Sequence, residues 1–110
     1  MSRTYEMDVT ITSFSPDKED AVKLAANGEW EFPNWLRSSK GEISAWGIGT
    51  LCGGEDEWEF SERLSKAIWR ALGKYCPIEL KAYYLEDAPC ETITLGEDKY
   101  REFVGKVVLV

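Results

Sequence analysis

The sequence predicts an α+β domain in which helices pack on one face of an antiparallel sheet. Three observations carry this prediction. Tyr5 to Ser13 alternates apolar and polar residues with the period of a strand. The block Ile43 to Asp87 runs strand, Cys-Gly-Gly turn, acid-started helix, strand. Taken in order, the segments read β-α-(β)-β-α-β-β-α, the mixed order of an α+β fold.

In the first strand Tyr5, Met7, Val9 and Ile11 share one face, and Glu6, Asp8, Thr10 and Thr12 share the other. Ser15-Pro16 then opens a helix. Ser15 suits the N-cap, Pro16 the first helical position, and Asp17, Glu19 and Asp20 the positive helix start. Val22, Leu24, Ala25 and Ala26 make this helix apolar but short, and Asn27-Gly28 ends it. Glu29 to Gly41 is the least patterned stretch. Trp30 and Phe32 alternate with Glu29 and Glu31, which allows a short strand; Asn34 to Ser38, after Pro33, suits one helical turn; Ser38 to Gly41 reads as a turn.

Ile43 to Leu51 is a strand. Ile43, Ala45, Gly47, Gly49 and Leu51 form one face; Ser44, Trp46, Ile48 and Thr50 form the other. Two glycines on one face imply a closely packed neighbour or a bulge. The helix after Gly54 has the strongest pattern, with Phe60, Leu64, Ala67, Ile68, Ala71, Leu72 and Tyr75 at helical spacing. Gly73 and Pro77 mark its end. Ile78 to Leu85 alternates again, Glu86 to Pro89 turns, and Glu91 to Leu95 completes a hairpin. Glu97 to Val104 forms a last helix that Gly105 breaks, and the tail Lys106 to Val110 reads as an edge strand or a frayed end. With Trp30–Phe32 as a strand, the first six elements take the ferredoxin-like order β-α-β-β-α-β.

A chain of 110 residues suits a single domain, residues 1–110. No apolar run is long enough to span a bilayer, and the N-terminal residues lack the apolar core of a signal peptide, so a cytoplasmic protein is expected. Thirteen basic and twenty acidic residues give a net charge of −7, which opposes direct binding to nucleic acid or to anionic membrane and favours a basic partner. Histidine is absent, which removes the commonest general base and the Ser-His and Cys-His nucleophile pairs. Cys52, Cys76 and Cys90 show neither a disulfide framework nor metal-ligand spacing. No catalytic residue, cofactor or metal site is therefore expected.

Gly47-x-Gly49 followed by Gly53-Gly54 before a helix is a poor dinucleotide-binding turn. Cys52 stands where the third glycine belongs, and Glu55-Asp56-Glu57 would set carboxylates where a phosphate sits. The carboxylates Glu55, Asp56, Glu57, Glu59 and Glu62 allow two readings. They form a functional group, as a partner-binding patch, a divalent-metal site or a nucleic-acid mimic, or they complement the helix dipole together with Lys66, Arg70 and Lys74. Trp58 and Trp69 are eleven positions apart and share one azimuth at about 100° per residue, on the flank of the apolar stripe. These two and Trp46 either anchor an interface or are covered by the Glu29–Gly41 segment.

The segments SAWGIGTLCGGE and AIWRALGKYCPIELKAYYLEDAP resemble small proteins carried by phages and plasmids, and distantly the ferredoxin-like domain of Api92-like mobile-element proteins. The resemblance covers Ala45 to Asp87, and the longer N-terminal region of that group is missing here. It implies a mobile-element origin and carries no catalytic motif. Together with the acidity it leads to a non-enzymatic inhibitor of a host nucleic-acid-handling complex, of the anti-CRISPR or anti-restriction type, acting by nucleic-acid mimicry. The expected partner is a host protein with a basic surface. The expected contact residues are Glu55, Asp56, Glu57, Trp58, Glu59, Glu62 and Trp69. The alternatives are a small enzyme or ligand-binding domain with a pocket at Gly47–Gly54, and a homodimer paired through an edge strand at Val107–Val110.

Overall fold

The computed structural model describes residues 3–39, 41–51, 55–84 and 90–108. The elements are β1 (Arg3–Thr12), a 3-10 turn (Pro16–Lys18), α1 (Glu19–Glu29), β2 (Asn34–Ser39), β3 (Glu42–Leu51), α2 (Glu57–Leu72), β4 (Ile78–Tyr84), β5 (Cys90–Leu95) and α3 (Glu97–Val108). The strands form one five-stranded antiparallel sheet in the order β2-β3-β1-β4-β5. The architecture is α+β, as the sequence predicts.

β1 lies at the centre because both its edges are paired, to β3 from Arg3↔Leu51 to Thr12↔Glu42 and to β4 from Tyr5↔Tyr84 to Ile11↔Ile78. Its inward residues Tyr5, Met7, Val9 and Ile11 are buried, the face that the alternation assigns to the core. They meet Phe60, Leu64 and Ile68 of α2 and Val22 and Ala26 of α1 in one apolar cluster. α1 packs along α2, and α3 closes over α2 and β5. Among the described residues, the opposite face of the sheet carries no helix.

α2 begins with a reciprocal cap. The Asp56 carboxylate accepts from the Glu59 backbone N–H at 2.8 Å, and the Glu59 side chain accepts from the Asp56 N–H at 3.1 Å. It ends at Gly73, whose φ of 76° suits a residue without a Cβ.

Four boundaries differ from the sequence reading. Ser15-Pro16 opens a 3-10 turn, and Ser15 makes no side-chain cap. α1 continues through Asn27-Gly28 to Glu29; Asn27 accepts a hydrogen bond from the Phe32 N–H at 3.3 Å instead of ending the helix. The second strand is Asn34–Ser39, and Trp30 and Phe32 belong to the connection before it. α3 runs past Gly105 to Val108, so Val107 and Val108 belong to a helix and not to an edge strand, while Leu109 and Val110 lie outside the described residues.

The glycine face of β3 explains the connection. The Trp30 indole lies on Gly49, where an added Cβ would stand 2.7 Å from the ring, and the Glu31 backbone crosses Gly47. Trp30 Nε1 donates to the Gly47 carbonyl at 3.0 Å, and its ring meets Phe60 edge-on at 5.0 Å. The glycines therefore admit a closely packed neighbour, the first of the two alternatives they allowed.

Candidate functional site

The acidic start of α2 is largely occupied by its own fold. Asp56 and Glu59 form the cap. Glu57 accepts a hydrogen bond from the Tyr5 hydroxyl. Glu55 holds Arg63 through two contacts of 2.9 and 3.0 Å, and Arg63 also reaches Glu29 at 2.9 Å. Glu62 pairs with Lys66 at 3.9 Å and Lys99 at 3.4 Å. Arg63, Lys66, Lys99 and the capped N–H groups thus already oppose much of the negative charge.

The two tryptophans of this patch part company. Trp58 is 50% exposed, while Trp69 is 2% exposed. Trp69 does not form a partly exposed flank beside Trp58, because α3 covers it: the Tyr100 ring meets it edge-on at 5.5 Å. Its Nε1 donates to the Cys76 carbonyl at 2.9 Å. The buried serines Ser61 and Ser65 widen the buried arc of α2 toward Trp69, a widening that a stripe of apolar residues alone does not reveal.

The other surface is the bare face of the sheet. β3 presents Trp46 (44% exposed) and Ile48 (53%), and the neighbouring edge strand presents Leu36 (68%). The pairing sets Trp46 beside Asn34 on one side and Asp8 on the other, and Asp8 beside Lys81. The next row toward the end of β3 runs Ile48, Glu6, Tyr83; on the other side of the Trp46 row comes Leu36, Ser44, Thr10, Glu79. Three exposed apolar side chains therefore sit among Glu6, Asp8, Glu79 and Glu42.

Asp8 is the unusual member. One of its oxygens, Oδ1, is buried and accepts no hydrogen bond among the described residues. Burial first, then a side-chain hydrogen bond with Glu6 that favours the protonated form and the charge of Glu6, push its pKa up to about 6, with Lys81 opposing. Between the rows, Asp8, Asn34, Leu36, Trp46, Lys81 and Tyr83 are among the walls of a cleft of about 230 Å³.

At the edge, Arg37 donates to both oxygens of Glu19 at 2.9 and 2.8 Å, tying β2 to the start of α1. This contact holds the Glu19 carboxyl down at about 2, with Lys23 assisting. Cys76 is buried, and desolvation pushes its thiol up to about 12. Cys52, Gly53, Gly54 and the pair Glu86-Asp87 lie outside the described residues. Over Gly47 and Gly49 the helix-side space is filled by Trp30 and Glu31. Among the described residues no group of His, Cys, Asp or Glu is placed to hold a metal, and no helix is long and apolar enough to cross a membrane.

No protein-family model, curated protein or solved structure matches this chain. The functional reading therefore rests on its own geometry. Trp46 and Asp8 were legible as outward residues of their strands, but the outward Leu36 was not, nor was the meeting of these residues with Tyr83 at one place. The signal that points to them is register: only the pairing of β2, β3, β1 and β4 brings these four residues together.

Proposed function

We propose that this chain is a small acidic binding protein without catalytic function, and that it docks a basic protein on the bare face of its sheet. The observation that supports this best is the exposed group Leu36, Trp46 and Ile48 among the carboxylates of Glu6, Asp8, Glu42 and Glu79. A half-exposed tryptophan with flanking aliphatics is the composition of an interface centre, and the carboxylates around it select a basic partner. The α2 start contributes less, because its carboxylates are already engaged by its own cap and by Tyr5, Arg63, Lys66 and Lys99.

We read the first six elements as a ferredoxin-like unit that β5 and α3 extend. In the most specific form of the proposal, the partner is a host nucleic-acid-handling complex, and the sheet-face carboxylates meet Lys and Arg side chains that otherwise hold phosphates. The resemblance to mobile-element proteins supports that form.

The test is affinity capture from a bacterial lysate with the intact chain, compared with Trp46→Ala/Ile48→Asp and with Glu57→Lys/Glu62→Lys. Capture should fail with the sheet-face pair and survive the helix-start pair. Capture indifferent to the sheet-face pair would reject the surface. A chain that is dimeric by light scattering and becomes monomeric in the sheet-face pair would replace the foreign partner with a second copy.

A further inference from the structure

The cleft on the bare sheet face accounts for a feature that packing leaves unexplained: a carboxylate oxygen at the centre of the sheet, buried and without a donor among the described residues. We propose that this cleft, between the Trp46 indole and the Asp8 carboxylate, is a subsite for one guanidinium group, an arginine side chain presented by the partner. The inference rests on the bare-face reading and deepens it.

Size is the first argument. At about 230 Å³ the cleft lies below the range of about 300–1,000 Å³ that serves drug-sized ligands, so it suits a single protruding side chain. Charge is the second. Asp8 and Glu79 line the cleft and Glu6 adjoins Asp8 on the same face; Lys81 is the basic member of the lining, which leaves the balance negative. Lys81 is also the smallest of the influences on Asp8, so it does not neutralise that carboxylate.

Chemistry is the third. A buried acceptor without a donor is costly, and Oδ1 of Asp8 is one. Oδ1 itself is closed to solvent, but Asp8 as a whole is only partly buried, so an N–H donor entering from the open side meets the carboxylate once it turns in place. Trp46 sits directly across the strand pair from Asp8, with its indole in the cleft wall. A planar cation can lie on an indole face while its edge donates to a carboxylate. Guanidinium does both at once; an ammonium group is a point charge and does not stack. Asn34, paired with Trp46 on the other side, adds an amide at the rim.

Proton competition follows. The groups facing Asp8 are Glu6 on its own strand and Lys81, Glu79 and Tyr83 on β4, while β3 brings Trp46 and Ser44 to the cleft. Asp8 gains a proton as the pH falls through about 6, and the protonated form gives up its attraction for a cation. Binding should therefore weaken at lower pH.

The experiment is an NMR titration of the full chain at about pH 7.5 with acetyl-Gly-Arg-Gly-amide, the isosteric but uncharged citrulline peptide and the lysine peptide as comparisons. The arginine peptide should shift the Trp46 indole N–H and the Asp8 and Leu36 amides saturably, with the indole signal assigned through Trp46→Phe. The citrulline peptide should not. Asp8→Asn should weaken binding by about tenfold or more while the spectrum stays folded, and lowering the pH by about one unit below the Asp8 pKa should weaken binding about tenfold. No saturable shift at Trp46, an unchanged affinity in Asp8→Asn, or a lysine peptide that binds equally well would overturn the subsite. If the subsite fails while partner capture still depends on Trp46 and Ile48, only this inference falls. If arginine binds but no partner depends on the bare face, the functional reading falls instead.

Discussion

Replacing Asp8 with Asn should stabilise the protein at neutral pH and leave it unchanged in acid. The Asp8 carboxyl is pushed up from 3.8 to about 6, chiefly by burial. The sign follows from proton linkage. Between these two values the native state holds a proton that the unfolded chain has lost, so stability falls as the pH rises through the window. Below it both states are protonated and the penalty vanishes; above it both are ionised and the penalty is complete. A rise of about two units corresponds to a ceiling of about 3 kcal/mol. The face is open to water on its outer side, and screening lowers this to about 1 kcal/mol. Asparagine keeps the shape and carries no charge, so it resembles the protonated acid. Urea unfolding followed by tryptophan fluorescence should show the variant about 1 kcal/mol more stable near pH 7 and equal to the parent near pH 3. A variant that is less stable at neutral pH, or that gains the same increment at both values, would refute the reasoning.

Three further perturbations probe the rest of the fold. Gly49→Ala places a Cβ 2.7 Å from the Trp30 ring and should cost about 1–3 kcal/mol in chemical denaturation, whereas Gly28→Ala, with open space around it inside α1, should gain about 0.5–1 kcal/mol. Arg37→Gln releases Glu19, whose contribution in the parent is present above about 4.5 and lost as the pH falls toward about 2; a pH series of unfolding curves should be flatter across that window in the variant. In a Cys52→Ser/Cys90→Ser background the remaining thiol, Cys76, should ignore Ellman's reagent in the folded protein and react fully in denaturant.

The legible parts of this fold are those where one face is apolar and the other polar. β1, β3, β4 and α2 meet that condition, and their inward residues Met7, Ile43, Leu80 and Phe60 are all buried as the spacing predicts. β2 inverts it. Its outward Leu36 is exposed, and its inward Arg37 turns to the carboxylate of Glu19. Trp35 is thus the one apolar residue of the core face of β2, too little for alternation to register, and the strand looks like a turn of helix. Trp69 fails for a related reason. The side chains that extend the buried arc of α2 toward it are the serines 61 and 65, and the helix that covers it is distant in sequence. The carboxylates of the α2 start were correctly placed, but their partners were not visible: Tyr5 lies 52 positions from Glu57, and Glu29 lies 34 from Arg63.

The same difference bears on which surface does the binding. Net acidity is a property of composition, and at the α2 start most of it is taken up by the chain's own cap and cations. On the bare sheet face the balance runs the other way. Asp8 and Glu6 stand two residues apart on one side of β1, and neither neighbouring strand brings enough positive charge to relieve them. A carboxylate that weakens the fold at neutral pH, beside an exposed tryptophan and an exposed isoleucine, contributes nothing to packing that asparagine or threonine would not. Stability alone gives no reason for an aspartate there. A cation arriving from another molecule does, because pairing with it offsets the desolvation of Asp8 and the repulsion from Glu6 in the same step. The energetic defect of the isolated chain and the affinity for a basic partner are then two consequences of one arrangement.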